Sequence, residues 1–366
     1  MTTAPTATGK RVSWAELFFD LVFVFAVTQV SELLHHDHSP GGLLRALVVF
    51  VPVYWVWVGT TIQGNVQDLS GPGGRLTIFA VALGGLFLAL AVSQAYGRWG
   101  LFFALSYWAS RLVLGLRLFS GSNFTVNPFT ISMTVSGPLL VLGGFLDGTP
   151  RLLVWASVAV IDLATPTVLR VRLRSMHFDA IHLTERFGLF VLIAIGESVV
   201  AIGTPVAASE RLSALTVLAV TAAFAVSCGL WWVYFHFATA AIEHALATAS
   251  IQSSITRHVL SYGHFGFIAS IIGLSVGMSE AVDHPTHHLS PTILALLYGG
   301  CTAYLATFGY TRWMMFRRLS VTRLAAAGCV VVLYPVALHL PAIVAVTTLA
   351  VVLALLNVVE YRRASK

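Results

Sequence analysis

A chain of 366 residues that is 57% hydrophobic and only 10% charged, with a mean hydropathy of +0.84, cannot clothe a water-soluble surface and reads as an all-α, polytopic membrane protein. Its formal net charge of +6 would suit nucleic acid only if the basic residues formed one face, and they are scattered along the chain instead. Cys228, Cys301 and Cys329 fall in apolar runs without metal-ligand spacing, so they read as small buried hydrophobes.

Residues 1–11 form a short polar tail without the apolar core of a signal peptide, so the first apolar segment is expected to stay as an anchor. A bilayer crossing needs about 20 apolar residues. Twelve segments qualify: 12–34, 43–63, 76–95, 98–119, 128–147, 151–170, 180–204, 212–237, 258–279, 291–313, 322–337 and 340–358. The last two are short, and a turn expected at Tyr334-Pro335 leaves their division open.

With an even number of crossings both termini share a side. Fifteen Lys and Arg residues fall there (Lys10, Arg11, Arg75, Arg117, Arg170, Arg172, Arg174, Arg257, Arg312, Arg317, Arg318, Arg323, Arg362, Arg363 and Lys366), against four opposite (Arg45, Arg98, Arg151 and Arg211). Arg111 and Arg186 lie within spans. Positive charge prefers the cytoplasm, so the expectation is a bacterial cytoplasmic-membrane protein with both ends inside.

The chain also resembles itself. ELFFDLVFVFAVTQVS (16–31) pairs with ERFGLFVLIAIGESVV (185–200), VYWVWVG (53–59) with GLWWVYF (229–235), and LAVSQAYG (90–97) with VGMSEAVD (276–283). A weaker fourth match joins 104–117 to 296–312 in the same order. The lag is six helices, which divides the chain into parallel repeats over 12–174 and 175–366. Such repeats occur in transporters, whose sites lie near mid-membrane at the repeat interface.

The segments WAELFFDLVFVFAVTQVSELL (14–34) and HLTERFGLFVLIAIGESVVAIG (182–203) resemble the two signature segments of the bacterial low temperature requirement protein A family, and the likeness extends over essentially the whole chain. The resemblance implies a multi-spanning membrane protein. It implies no reaction and no set of catalytic residues.

Buried carboxyls are the candidates for chemistry. Glu16 and Asp20 lie one turn apart on one helix face, and Thr28 and Ser31 extend that face into a polar stripe, whereas Gln29 points the other way. On the seventh helix His182, Arg186 and Glu197 share an arc, flanked by Glu185. The repeat aligns Glu16 with Glu185, Gln29 nearly with Glu197, and Gln94 with Glu280, at the outer ends of the third and ninth helices. A charge at mid-bilayer costs roughly 2.5–3.5 kcal/mol even on lenient scales, so such groups face a partner or a cavity. Glu16 and Glu185 are near enough to Arg186 or Arg111 to act as structural locks. Asp20 and Glu197 lie deeper without an adjacent cation and read as proton-carrying or general-acid groups, with Asp162 beside the Pro166 kink as a secondary candidate.

The repeat-equivalent aromatics Trp55, Trp57, Trp231 and Trp232 fit either an interfacial belt or a cavity wall. Gly273 and Gly277 offer a small-residue packing face. The histidine clusters at 35–38 and 284–288 lack metal-site spacing, and no motif calls for a metal or a cofactor. Together these features favour a permease, with proton coupling through a site between helices one and seven. The substrate would be a small molecule, an ion or a lipid-like compound, with membrane lipid as surroundings and room for homo-oligomerisation. The alternatives are an intramembrane enzyme acting on a lipid or isoprenoid, and a non-catalytic receptor or scaffold.

Overall fold

The structure, a computed structural model, describes residues 10–119, 126–207 and 212–364. Residues 1–9 of the expected tail, together with Arg211 and Lys366 of the orientation count, lie outside the described residues. Twelve apolar helical segments follow one another. They are α1 (Trp14–His36), α2 (Pro40–Val66), α3 (Pro72–Val92), α4 (Gly100–Phe119), α5 (Pro128–Gly144) and α6 (Gly148–Val168). The second set is α7 (Ala180–Ala207), α8 (Ala214–Phe235), α9 (Gln252–Asp283), α10 (Pro291–Phe316), α11 (Val321–Ala337) and α12 (Ala342–Ala364). A short helix, Ala238–Thr248, links α8 to α9.

Among the described residues nine helices are long and apolar enough to cross a membrane. The other three are α4, which spans 20 residues but carries Arg111 and Arg117, and the shorter α5 and α11. The ends are written in local chemistry. Ser13, Ser39, Ser213 and Ser290 cap α1, α2, α8 and α10 by accepting a backbone N–H. Pro40, Pro72, Pro128 and Pro291 occupy first turns, where their missing N–H costs nothing. Pro335 lies inside α11, so the turn dividing the last two helices falls after Ala337 rather than at Tyr334-Pro335. A proline in the final turn leaves most of the hydrogen-bond ladder intact.

Two helices contain π-helical segments, Ser132–Ser136 in α5 and Thr256–Gly263 in α9. α9 begins at Gln252, ahead of the expected 258, because a short α-helical turn over Gln252–Ile255 precedes the π-helical segment and extends the helix through the polar run before His258.

In the first half α1 packs on α3, α3 on α4, α4 on α5, α5 on α6, α1 on α2 and α2 on α6. In the second half α7 packs on α9, α9 on α10, α10 on α11, α11 on α12, α7 on α8 and α8 on α12. The halves meet where α1 and α2 touch α7 and where α1 touches α9. The α9–α10 seam is close because Gly277 lacks a side chain. A Cβ there would lie 2.6 Å from that of Leu297, so Gly277→Val is expected to cost about 1–3 kcal/mol through overpacking, read as a lower melting temperature in detergent.

Of the cysteines only Cys301 is buried. Cys228 and Cys329 are exposed on the outside of the bundle, which corrects the reading of all three as core residues. An apolar residue is equally at home against lipid, so composition could not separate the two positions.

Candidate functional site

The polar network of α1 and α7 is buried and densely paired, with Arg186 Nε left without a hydrogen-bond partner among the described residues. Asp20 Oδ2 accepts from Arg186 Nη1 at 2.6 Å, and its Oδ1 accepts from Trp57 Nε1 at 2.8 Å. Arg186 Nη1 also reaches the Glu16 carbonyl at 2.8 Å, and Nη2 reaches Thr61 Oγ1 at 3.3 Å. Asp20 therefore has a cation beside it, against the sequence expectation. The partner lies 166 residues away along the chain, where only the fold could bring it.

Glu16 is buried and pairs with His182 rather than with an arginine side chain, its Oε1 lying 3.1 Å from Nε2. The Asn65 amide settles the imidazole tautomer. Its Oδ1 accepts from the Asp179 N–H, so its Nδ2 donates to His182 Nδ1 at 3.1 Å. The imidazole Nε2–H is thereby left to donate to Glu16. Ser13 completes the Glu16 site with a reciprocal capping box. Glu185 is exposed on the outer side of α7, one residue before the fully buried Arg186, and this overturns its expected inward direction. Close to a helix end its carboxylate can reach water or headgroups without a partner.

Asp162 forms a second node. It accepts from the Tyr107 hydroxyl, from Ser132 Oγ at 3.0 Å and from Ser136 Oγ at 2.6 Å. Both serines belong to the π-helical segment of α5, so this carboxylate pins that irregular turn to α4 and α6.

A third group lies toward the far ends of α1, α7 and α9, opposite the face where α1 begins. Glu197 is buried, and its Oε2 accepts from Ser275 Oγ at 2.8 Å. It sits in a crevice of about 250 Å³, which Thr28, Ser31, Glu32 and Glu280 also line. The polar stripe read on α1 thus serves two assemblies, Glu16 and Asp20 in the network, Thr28 and Ser31 in the crevice. Gln29 is half-buried, Gln94 is exposed in the turn after α3, and neither lines this crevice.

A large cavity, about 790 Å³, opens in the half of the bundle that holds the α1 N-terminus. The later part of α2, α4, the ends of α5 and α6, and the π-helical start of α9 enclose it. Trp55, Ile62 and Phe129 give it an apolar wall, while Arg111, Arg172 and Arg257 bring positive charge. The tryptophans expected to act together do not. Trp55 lines the chamber and Trp57 is buried against Asp20, but Trp231 and Trp232 are exposed on the outer surface at 41% and 40%. They fit the belt reading and not the cavity reading.

Sequence reasoning did not bring the chamber arginines together. Arg111 was visible as a charge inside a span, but Arg257 looked like an ordinary charge at a span edge. Of the single histidines, His264 is a satisfied core group, with its Nε2 2.6 Å from the Tyr234 hydroxyl and its Nδ1 3.0 Å from the Val259 carbonyl. Among the described residues no group of three or more His, Cys, Asp or Glu side chains could hold a metal ion.

Fold and site together define a polytopic α-helical membrane protein with a buried ionic network where its two halves meet and a large chamber beside it. Residues 11–358 match the family described as bacterial low temperature requirement A protein (LtrA), and the chain belongs to that family. It is 30% identical over 318 residues to the uncharacterized protein RA0937 of Rhizobium meliloti (strain 1021), covering 83% of this chain and 77% of that one. No solved structure matches the chain.

Proposed function

We propose that the protein is a secondary transporter built as two parallel six-helix repeats, with both termini in the cytoplasm, the chamber open inward and the Glu197 crevice open outward. The observation that carries this reading is the pair of cavities entering from opposite ends of the bundle. Along α9 the chamber residue Ser261 and the crevice residue Ser275 are separated by about 20 Å at 1.5 Å per residue. The barrier between them is packed aromatic side chains, including Tyr54, Phe190 and Phe265.

The helix-for-helix correspondence of packing in the two halves supports the repeats. Repeats hinged about a shared interface are how transporters alternate access. The Asp20–Arg186 and Glu16–His182 pairs lie on that interface and line neither cavity, so their role is to hold α1 against α7. Glu197 is the proton-carrying candidate, because it is deep, lines the crevice and is bonded to a hydroxyl rather than a cation. An acid-initiated intramembrane enzyme fits less well: Asp20 and Glu197, the acids it would need, do not line the large chamber.

Cysteine accessibility tests the arrangement. In a background with Cys228, Cys301 and Cys329 replaced by serine, Ile62→Cys is expected to react with an impermeant maleimide only from the cytoplasmic side, and Ser279→Cys only from outside. Labelling of both from one side would overturn the two-cavity transporter.

A further inference from the structure

The chamber contains something that the transport reading does not by itself require. Arg111 and Arg257 are 3% and 9% exposed, and both line the cavity, yet among the described residues neither forms an ion pair with a carboxylate. Among the described residues Arg257 reaches the Pro166 carbonyl at 3.5 Å and the His258 ring at 3.1 Å. Arg111 stacks its guanidinium over Tyr107, 5.3 Å from the ring centre. The one carboxylate connected to it, Asp162, is occupied by three hydroxyls, of which Tyr107 is one.

Among the described residues Nε of both arginines has no hydrogen-bond partner, and the same holds for the buried hydroxyls of Ser253 and Thr256 on the chamber wall. A guanidinium out of bulk water without a directly paired carboxylate is costly, so two of them around one cavity point to an anion that comes from outside the chain. The backbone makes room for this arrangement: a Cβ on Gly59 would lie 2.4 Å from Arg111 Nη1. Arg172 stands exposed at the rim, bonded to the Val126 carbonyl at 3.3 Å, and adds a third positive charge at the entrance. The remaining wall, with Trp55, Ile62 and Phe129, is apolar.

We infer that this chamber binds an amphiphilic anion, its phosphate-type head between Arg111 and Arg257 and its apolar body along Trp55, Ile62 and Phe129. Planar guanidinium groups suit a phosphate because they offer paired N–H donors in fixed geometry. The unpartnered Ser253 and Thr256 hydroxyls supply further donors to the same head. The volume lies within the range that encloses a small organic molecule, about 300–1,000 Å³. The inference rests on the chamber being the substrate site of the proposed transporter, but binding can be read without any flux.

The test is calorimetry on the full protein in phosphatidylcholine nanodiscs, with octyl phosphate, inorganic phosphate and octyltrimethylammonium as probes. Octyl phosphate is expected to bind saturably and at least about tenfold more tightly than either other probe, with Arg111→Gln and Arg257→Gln each weakening it about tenfold. Arg318→Gln, on an exposed arginine outside the chamber, should leave affinity unchanged. If an arginine variant fails to fold, Ile62→Trp, which fills the cavity and keeps both charges, must still abolish octyl phosphate binding. Equal binding of the cationic probe, affinity indifferent to both arginines, or inorganic phosphate binding as tightly as octyl phosphate would overturn the assignment. Arginine-dependent binding in a protein that shows no flux would uphold it and remove the transport reading instead.

Discussion

Arg186→Gln is expected to lower stability by about 3–5 kcal/mol, the usual cost of breaking one side of a buried ion pair. The substitution leaves the Asp20 carboxylate, only 2% exposed, with Trp57 as its remaining side-chain donor. It also releases the Glu16 carbonyl and the Thr61 hydroxyl, loosening α1 and α2 from α7 at once. Melting in detergent and SDS-induced unfolding both read the loss. The double variant Asp20→Asn/Arg186→Gln should recover part of it, because the isolated charge is then gone, and that recovery separates ion pairing from simple loss of packing. A single variant within about 1 kcal/mol of wild type would show that water reaches the network and that it does not clamp the halves together.

Asp162→Leu is the second large effect. It deprives the Tyr107, Ser132 and Ser136 hydroxyls of their shared acceptor inside the bundle, at about 1–3 kcal/mol for each group left unsatisfied. Because Ser132 also lines the chamber, the loss should appear as a fall in melting temperature together with weaker octyl phosphate binding. Asp162→Asn keeps one acceptor oxygen and is expected to lie between the two. An Asp162→Leu protein with wild-type melting would mean that the π-helical turn of α5 holds itself without the carboxylate.

The membrane class and the twelve segments were legible because lipid imposes a long, nearly charge-free stretch on each crossing. Most ends were recoverable to within a few residues, since serine caps and first-turn prolines mark them locally. The start of α9 was not, because the residues from Gln252 to Arg257 that open it are mostly polar and read as loop.

The carboxyls were found by their rarity, but their partners were not. Asp20 and Arg186 come from different halves, and helical angle fixes which way a residue points without saying which helix stands opposite. The same gap explains Glu185, one residue from Arg186 and facing outward, and Trp231 and Trp232, whose alignment with Trp55 and Trp57 concealed their exposed position on the outer surface. It also hid the chamber, whose buried arginines, Arg111 and Arg257, come from α4 and α9 and meet only in three dimensions.

Uptake of radiolabelled octyl phosphate into proteoliposomes under an imposed pH gradient tests the central claim most directly. The account predicts saturable, protein-dependent uptake that Ile62→Trp abolishes and that loses its response to the gradient in Glu197→Gln. Uptake no greater than in protein-free liposomes, from a preparation that still binds octyl phosphate, would contradict transport.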